Sequence, residues 1–283
     1  MIKLTYHEID LKIMQTKTAI LSDLSHRGLL QIVGDGAKKL LQGQFTCDLE
    51  QVTTTQSQLG AHCNPQGRVI SFFRIFLYEN DYFLSLPRAM VPIALAALQK
   101  YAVFFKVKLT DASDQLQQLG YFEVSQGFQQ FIGRKEELQR IAASLKPAEN
   151  VSIERWQLCT LRNLIPAIYP ETTGKFLPHE LNLPALKAVS FDKGCYTGQE
   201  IIARMEYRGK LKNHLYLATM TTDQPLARGQ DIVCENTTCG NIVDVCSLGY
   251  NNYELLVIAP ENYVTTKTLQ INTDRLEFEW QKN

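Results

Sequence analysis

The chain has 283 residues, 45% hydrophobic and 20% charged, with 29 basic and 29 acidic side chains. This size and mix exclude a disordered chain and allow one large domain, or two to three small ones, with a real core. A formal net charge of zero argues against holding nucleic acid through a broad basic field, so no direct nucleic-acid partner is expected.

The opening MIKLTYHEID has no apolar core of signal-peptide length. The longest apolar run, Val91 to Leu98, is broken by Pro92 and is far shorter than a membrane span. A cytoplasmic location without a membrane partner is expected. In that compartment seven cysteines without a tight framework read as free thiols, and the sequon at Asn236 carries no meaning.

Leu29 to Val33 reads as a short strand. Gly34-Asp35 then turns the chain into a helix over Ala37 to Leu41, with Asp35 as a candidate N-cap. Leu59 to Cys63, the turn Asn64-Pro65-Gln66-Gly67, Val69 to Tyr78 and Tyr82 to Leu86 follow as strands and turns. Arg88 to Tyr101 reads as a helix with Met90, Ile93, Leu95, Ala97 and Leu98 toward the core, and Val103 to Leu109 as a further strand. Residues 57–110 therefore form an α+β subdomain with an antiparallel sheet, and its aromatics are core.

Polar connections run to residue 150, with a strand near Tyr121 to Val124 and a helix over Lys135 to Leu145. Ile153 to Leu164 reads as another helix. Pro166 to Pro184 holds four prolines and Gly174 and reads as an irregular loop packed through its apolar residues.

The densest chemistry is Lys193-Gly194-Cys195-Tyr196-Thr197-Gly198-Gln199-Glu200. Thr197 and Glu200 have capping-box spacing, which predicts a helix from Gly198 that stops near Gly209. Cys195 precedes the free N–H groups of that helix and lies two residues from Lys193. Both features favour a thiolate and a depressed pKa. The alternative is a small buried hydrophobe. Arg204, Arg208, Lys210 and Lys212 make a basic run beside it, either a solvated face or a site for an anionic tail.

From 210 the texture becomes short strands: His214 to Met220, Asp231 to Glu235, Asn241 to Cys246, Glu254 to Ile258 and Leu276 to Trp280. Cys234, Cys239 and Cys246 lack metal spacing and fit strand alternation, so no metal site is expected. His7, His26, His62, His179 and His214 form no catalytic spacing.

KGCYTGQE followed by IIARMEYRG resembles the signature of the YgfZ family, folate-binding proteins related to the glycine-cleavage T-protein. Val33 to Asp48, Gly60 to Val69 and Lys175 to Leu183 resemble the same family in order. The resemblance implies a GcvT-like α+β fold over 1–209 and a small C-terminal β-barrel over 210–283. It implies a ligand, tetrahydrofolate or a derivative, in a central cleft. It further implies a soluble accessory protein whose partners are iron–sulfur enzymes, including tRNA-modifying ones, or cluster-assembly proteins.

On this resemblance Cys195 is the functional thiol, and Lys193, Tyr196, Gln199, Arg204, Arg208, Lys212 and Glu180 surround the ligand. The sequence departs from the T-protein where catalysis would need a carboxylate, because Ser71 and Phe72 stand there; neither can do that charge work. Arg162 stands in place of the T-protein's pterin-binding acid, and a guanidinium only donates, which moves that task to another acid such as Glu180. A classical enzyme is therefore not expected. The alternatives are a folate-dependent aminomethyltransferase and a thiol enzyme with Cys195 as nucleophile.

Overall fold

The computed structural model describes residues 2–5, 19–234, 237–266, 270–271, 274–275 and 277–278. His7, Glu235, Asn236 and part of the strand expected over Leu276 to Trp280 lie outside these described residues.

Three sheets meet around one cleft. The first contains β1 (Ile2–Thr5), β2 (Ala19–Asp23), β8 (Gln117–Glu123), β9 (Gly127–Gly133) and β10 (Ala148–Asn150), in the order β1-β9-β8-β2-β10. The second contains β3 (Arg27–Val33), β4 (Gln58–Cys63), β5 (Val69–Tyr78), β6 (Asp81–Pro87) and β7 (Lys108–Asp111), in the order β4-β5-β6-β3-β7. It is antiparallel throughout, and it draws β3 in from outside the expected 57–110 subdomain. The third begins at β11 (Asn213–Thr221) and includes β12 (Asp231–Cys234), β13 (Thr237–Gly249) and β14 (Asn252–Pro260). With three two-residue strands it makes a seven-stranded sheet, the form taken by the predicted C-terminal β module.

Helices α1 (Ala37–Gln44) and α2 (Val91–Ala102) pack against the second sheet through a continuous core that includes Leu40, Leu41, Phe73, Val91 and Leu98. Helix α3 (Lys135–Ser144) covers the first sheet, and α4 (Ile153–Arg162) reaches from it to the third. Leu217, Val243, Leu256 and Ile258 of the third sheet belong to the same core as α1 and α2, so this sheet is packed onto the body.

Some expectations change in the structure. Helix α1 has Gly36 at its N-cap and no side-chain cap, so Asp35 does not cap it. Val103 to Phe105 is a helical turn rather than the start of a strand, because Lys106 is left-handed (φ 55°) and re-aims the chain into β7. The buried stripe of α2 is Val91, Ala94, Leu98 and Ala102, a helical 3–4 spacing; Ile93, Leu95 and Ala97 flank it. The helical run Arg88–Phe105 reaches 18 residues at mean hydropathy 1.2. It meets the length and composition of a membrane span, contrary to the sequence expectation, yet that stripe seats it on the second sheet. Cys234 and Cys239 are joined in a disulfide across the β12–β13 hairpin, Cα–Cα 5.8 Å, which corrects the reading of them as separate thiols.

Candidate functional site

The cysteine loop rests on two stacked glycine turns. Gly198 is left-handed (φ 82°), and a Cβ there would meet the Asn64 carbonyl at 2.6 Å; Gly67 (φ 72°) lies against Ile201. Glycine is required at both places for conformation and for close approach. Helix α5 (Gln199–Arg208) starts from Gly198 and ends at Gly209. The expected capping box is absent: Thr197 Oγ1 pairs with Gln44 Oε1 at 3.2 Å, and the side chain of Gln199 accepts from Tyr196 N at 3.3 Å. The tight φ > 0 entry leaves Thr197 out of N-cap position.

Lys193 faces inward. Its Nζ donates to the carbonyls of Gln42 (2.7 Å), Phe45 (2.9 Å) and Cys47 (2.7 Å). Burial pulls the ammonium down to about 8, with Cys47 and Asp48 acting in the other direction. Lys193 therefore ties the loop to the last turn of α1 and the segment after it, which corrects its placement as a ligand-facing group or as a cation turned to Cys195. Tyr196 is buried too, under the Lys193 cation at 5.2 Å from its ring centroid, and its hydroxyl has no hydrogen-bond partner among the described residues. Of the five free cysteines only Cys195 is exposed; Cys47, Cys63, Cys159 and Cys246 are buried. A Cβ on Gly194 would meet nothing within 4 Å, so the approach to Cys195 is open.

The cleft lies where the three sheets meet. The crossover from β2 to β3 brings His26 and Arg27 to it, β5 brings Phe72 and Arg74, and Tyr169 and Asp244 close the far side. It is a narrow slot enclosing ≈ 700 Å³ of space between atoms, mouth included. Its floor is a polar network between the first two sheets. Arg27 donates to Ser85 Oγ (3.0 Å) and Ser85 O (2.8 Å), and Gln130 donates to Gln118 Oε1 (2.7 Å) and Ser85 Oγ (2.9 Å). Arg74, only 2% exposed, donates to Ser57 Oγ at 3.0 Å. Burial, aided by the Arg27 charge, lowers His26 to about 4, so it is neutral at pH 7; its Nδ1 has no hydrogen-bond partner among the described residues.

The third sheet contributes Asp244 with Arg228, Nε to Oδ1 at 2.7 Å. The Arg228 guanidinium lies 3.7 Å over the Tyr169 ring, a cation–π contact. Burial pushes the Asp244 carboxyl up, against the pull of Arg228.

The other expected ligand residues lie elsewhere. Arg204, Arg208 and Lys212 are exposed on and after α5 and do not line the slot. Glu180 accepts from Leu177 N (2.9 Å) and from Asn213 (3.3 Å), pinning the irregular loop to the start of β11. Arg162 makes a two-pronged ion pair with Glu254, Nε to Oε2 at 2.7 Å and Nη2 to Oε1. The sequence reading missed Asp244, Arg74, Tyr169 and Arg228. A single charge inside an apolar strand (Ile242-Val243-Asp244-Val245, Phe72-Phe73-Arg74-Ile75) was the available signal.

Among curated proteins, the chain is 30% identical over 273 residues to the tRNA-modifying protein YgfZ of Vibrio atlanticus, covering 86% of this chain and 84% of the relative. A protein of the same name from Photobacterium profundum is 32% identical over 228 residues, 70% and 69% of the two chains. The chain belongs to the YgfZ family. An uncharacterized Haemophilus influenzae protein is 33% identical over 216 residues, covering 74% and 76%. No protein-family model matches. Among solved structures, the glycine cleavage system aminomethyltransferase T of Bartonella henselae superposes with a TM-score of 0.64 at 14% identity, covering 93% of this chain and 85% of that one. The YgfZ-family chain thus has the GcvT-like fold expected of it.

Proposed function

We propose that this YgfZ-family protein binds a reduced folate in the slot and acts in the cytoplasm, where tRNA is, as an accessory to iron–sulfur enzymes that modify tRNA. Cys195 is its functional thiol. The observation that carries the folate part is the slot itself: flat aromatic walls from Phe72 and Tyr169 around a polar floor of Arg27 and Gln130. This is the pairing of apolar surface with few converging polar groups that small-ligand sites show. The tRNA part draws on the printed names of the relatives. The thiol part draws on Cys195 being the exposed member of the free cysteines.

Aminomethyl transfer is the weaker reading. Phe72 lines the slot, and Ser71 beside it in β5 is a neutral hydroxyl. No carboxylate comes from this part of the chain to a folate amine.

Calorimetric titration with tetrahydrofolate, formyl-tetrahydrofolate and a pterin lacking the rest of the folate tests the ligand. Binding of reduced folates is expected, and none at millimolar concentration would overturn it. Cys195→Ser should keep the melting temperature and lose support of iron–sulfur tRNA-modifying activity in a complementing strain. Full complementation would return Cys195 to a surface residue without a role.

A further inference from the structure

We propose that Asp244 is the acceptor that reads the amino-bearing edge of the ligand's ring, so that the slot selects heterocycles presenting adjacent N–H and NH₂ donors. This rests on the folate reading above and specifies how the ring is recognised.

Asp244 sits on β13, on the side of the third sheet turned toward the body, and is 7% exposed. Its Oδ1 takes two donors, Arg228 Nε at 2.7 Å and Val245 N at 2.9 Å. Among the described residues Oδ2 has none. That oxygen is free to accept a further donor, and it belongs to the one carboxylate among the described residues that line the slot. Arg228 holds the group from one side only, and is itself fixed over the ring of Tyr169. The pair carries no net charge, and it leaves one acceptor oxygen of a slot-lining residue untaken.

The surrounding groups are complementary to such a ligand. Arg27 and Arg74 supply donors across the slot, suited to ring carbonyl and nitrogen acceptors. Neutral His26 adds a nitrogen whose role depends on its tautomer. Phe72 offers an apolar face to a ring. A charge-assisted contact from Asp244 to an N–H/NH₂ edge is the strongest polar contact this arrangement could make. A ring carrying a carbonyl in place of the amino group would set oxygen against oxygen.

The test uses the full-length protein and calorimetry with four probes: tetrahydrofolate, a reduced pterin without the tail, p-aminobenzoylglutamate, and a lumazine, in which a carbonyl replaces the 2-amino group. Wild type should bind the pterin at least about ten-fold more tightly than the lumazine. Asp244→Asn should weaken tetrahydrofolate and the pterin by about 10- to 100-fold and leave p-aminobenzoylglutamate unchanged. Equal binding of pterin and lumazine by wild type would overturn the proposal without any variant, so it stays testable even if Asp244→Asn fails to fold. Unchanged affinity of a folded Asp244→Asn for tetrahydrofolate would overturn it too. If wild type binds none of the four, the folate reading itself falls and Asp244 loses its role with it.

Discussion

Lys193 shows how a charge two residues from a thiol can serve position rather than reactivity. Its ammonium meets three backbone carbonyls, one in the last turn of α1 and two just after it, and the cation covers the ring of Tyr196. Those carbonyls lie where water does not compete well, so each lost contact leaves an acceptor unpaired. Lys193→Met keeps the stem and removes the donors. Part of the loss is recovered because a buried charge disappears with it, so the expected destabilisation is about 2–4 kcal/mol, read as a lower denaturant midpoint. The Cys195 loop should become more open to protease in the same variant. A midpoint equal to wild type would mean that the three carbonyls find other donors and that Lys193 does not hold the loop.

Between elements, the third sheet is fastened to the body by charge as well as by the shared core. Arg162 at the end of α4 reaches Glu254 on β14 with two hydrogen bonds. Glu254 is buried and Arg162 partly exposed. Arg162→Met should strand the acid and cost about 2 kcal/mol, less than for a fully buried pair because the arginine side reaches solvent. Adding Glu254→Gln should recover part of that loss in a denaturant series; a double variant as unstable as the single one would show that stranding is not the cause. This bridge was invisible in the sequence because its partners are 92 residues apart. Other features were legible for local reasons. The run Val69 to Tyr78 is rich in β-branched and aromatic residues and is a strand over those residues, and α5 ends at Gly209 as a glycine stop predicts. The cap at Thr197 misled, since spacing alone does not see that Gly198 enters the helix left-handed. The first sheet was mostly missed because its strands are short, partly polar and brought together from both ends of 2–150. The cleft could not be read because its walls come from three sheets, whereas the cysteine loop was marked by contiguous residues.

Across the whole molecule, two neutral histidines make stability depend on pH. His26 lies at the crossover between the first two sheets, and His62 on β4 faces Phe45, ring centroids 5.8 Å apart. Burial lowers both from 6.5 to about 4, helped by Arg27 at His26 and by Lys100 at His62. A base with its folded pKa below the unfolded one takes up protons more readily when unfolded. Its stabilising effect is therefore fully present above about pH 6.5 and is lost as pH falls toward about 4. At pH 5 each histidine should cost on the order of 1–2 kcal/mol relative to pH 7.5. Asp244 has the opposite sign, since its raised pKa makes the ionised form the costly one, so its protonation in acid offsets part of the loss. The melting temperature should accordingly fall between pH 7 and pH 5, before ordinary carboxylates titrate. His26→Gln and His62→Gln should each flatten that slope by roughly half, because a glutamine amide cannot take up the proton. A melting temperature constant from pH 7.5 to 5, or a double variant that keeps the wild-type slope, would show that the two imidazoles are not what couples this fold to pH.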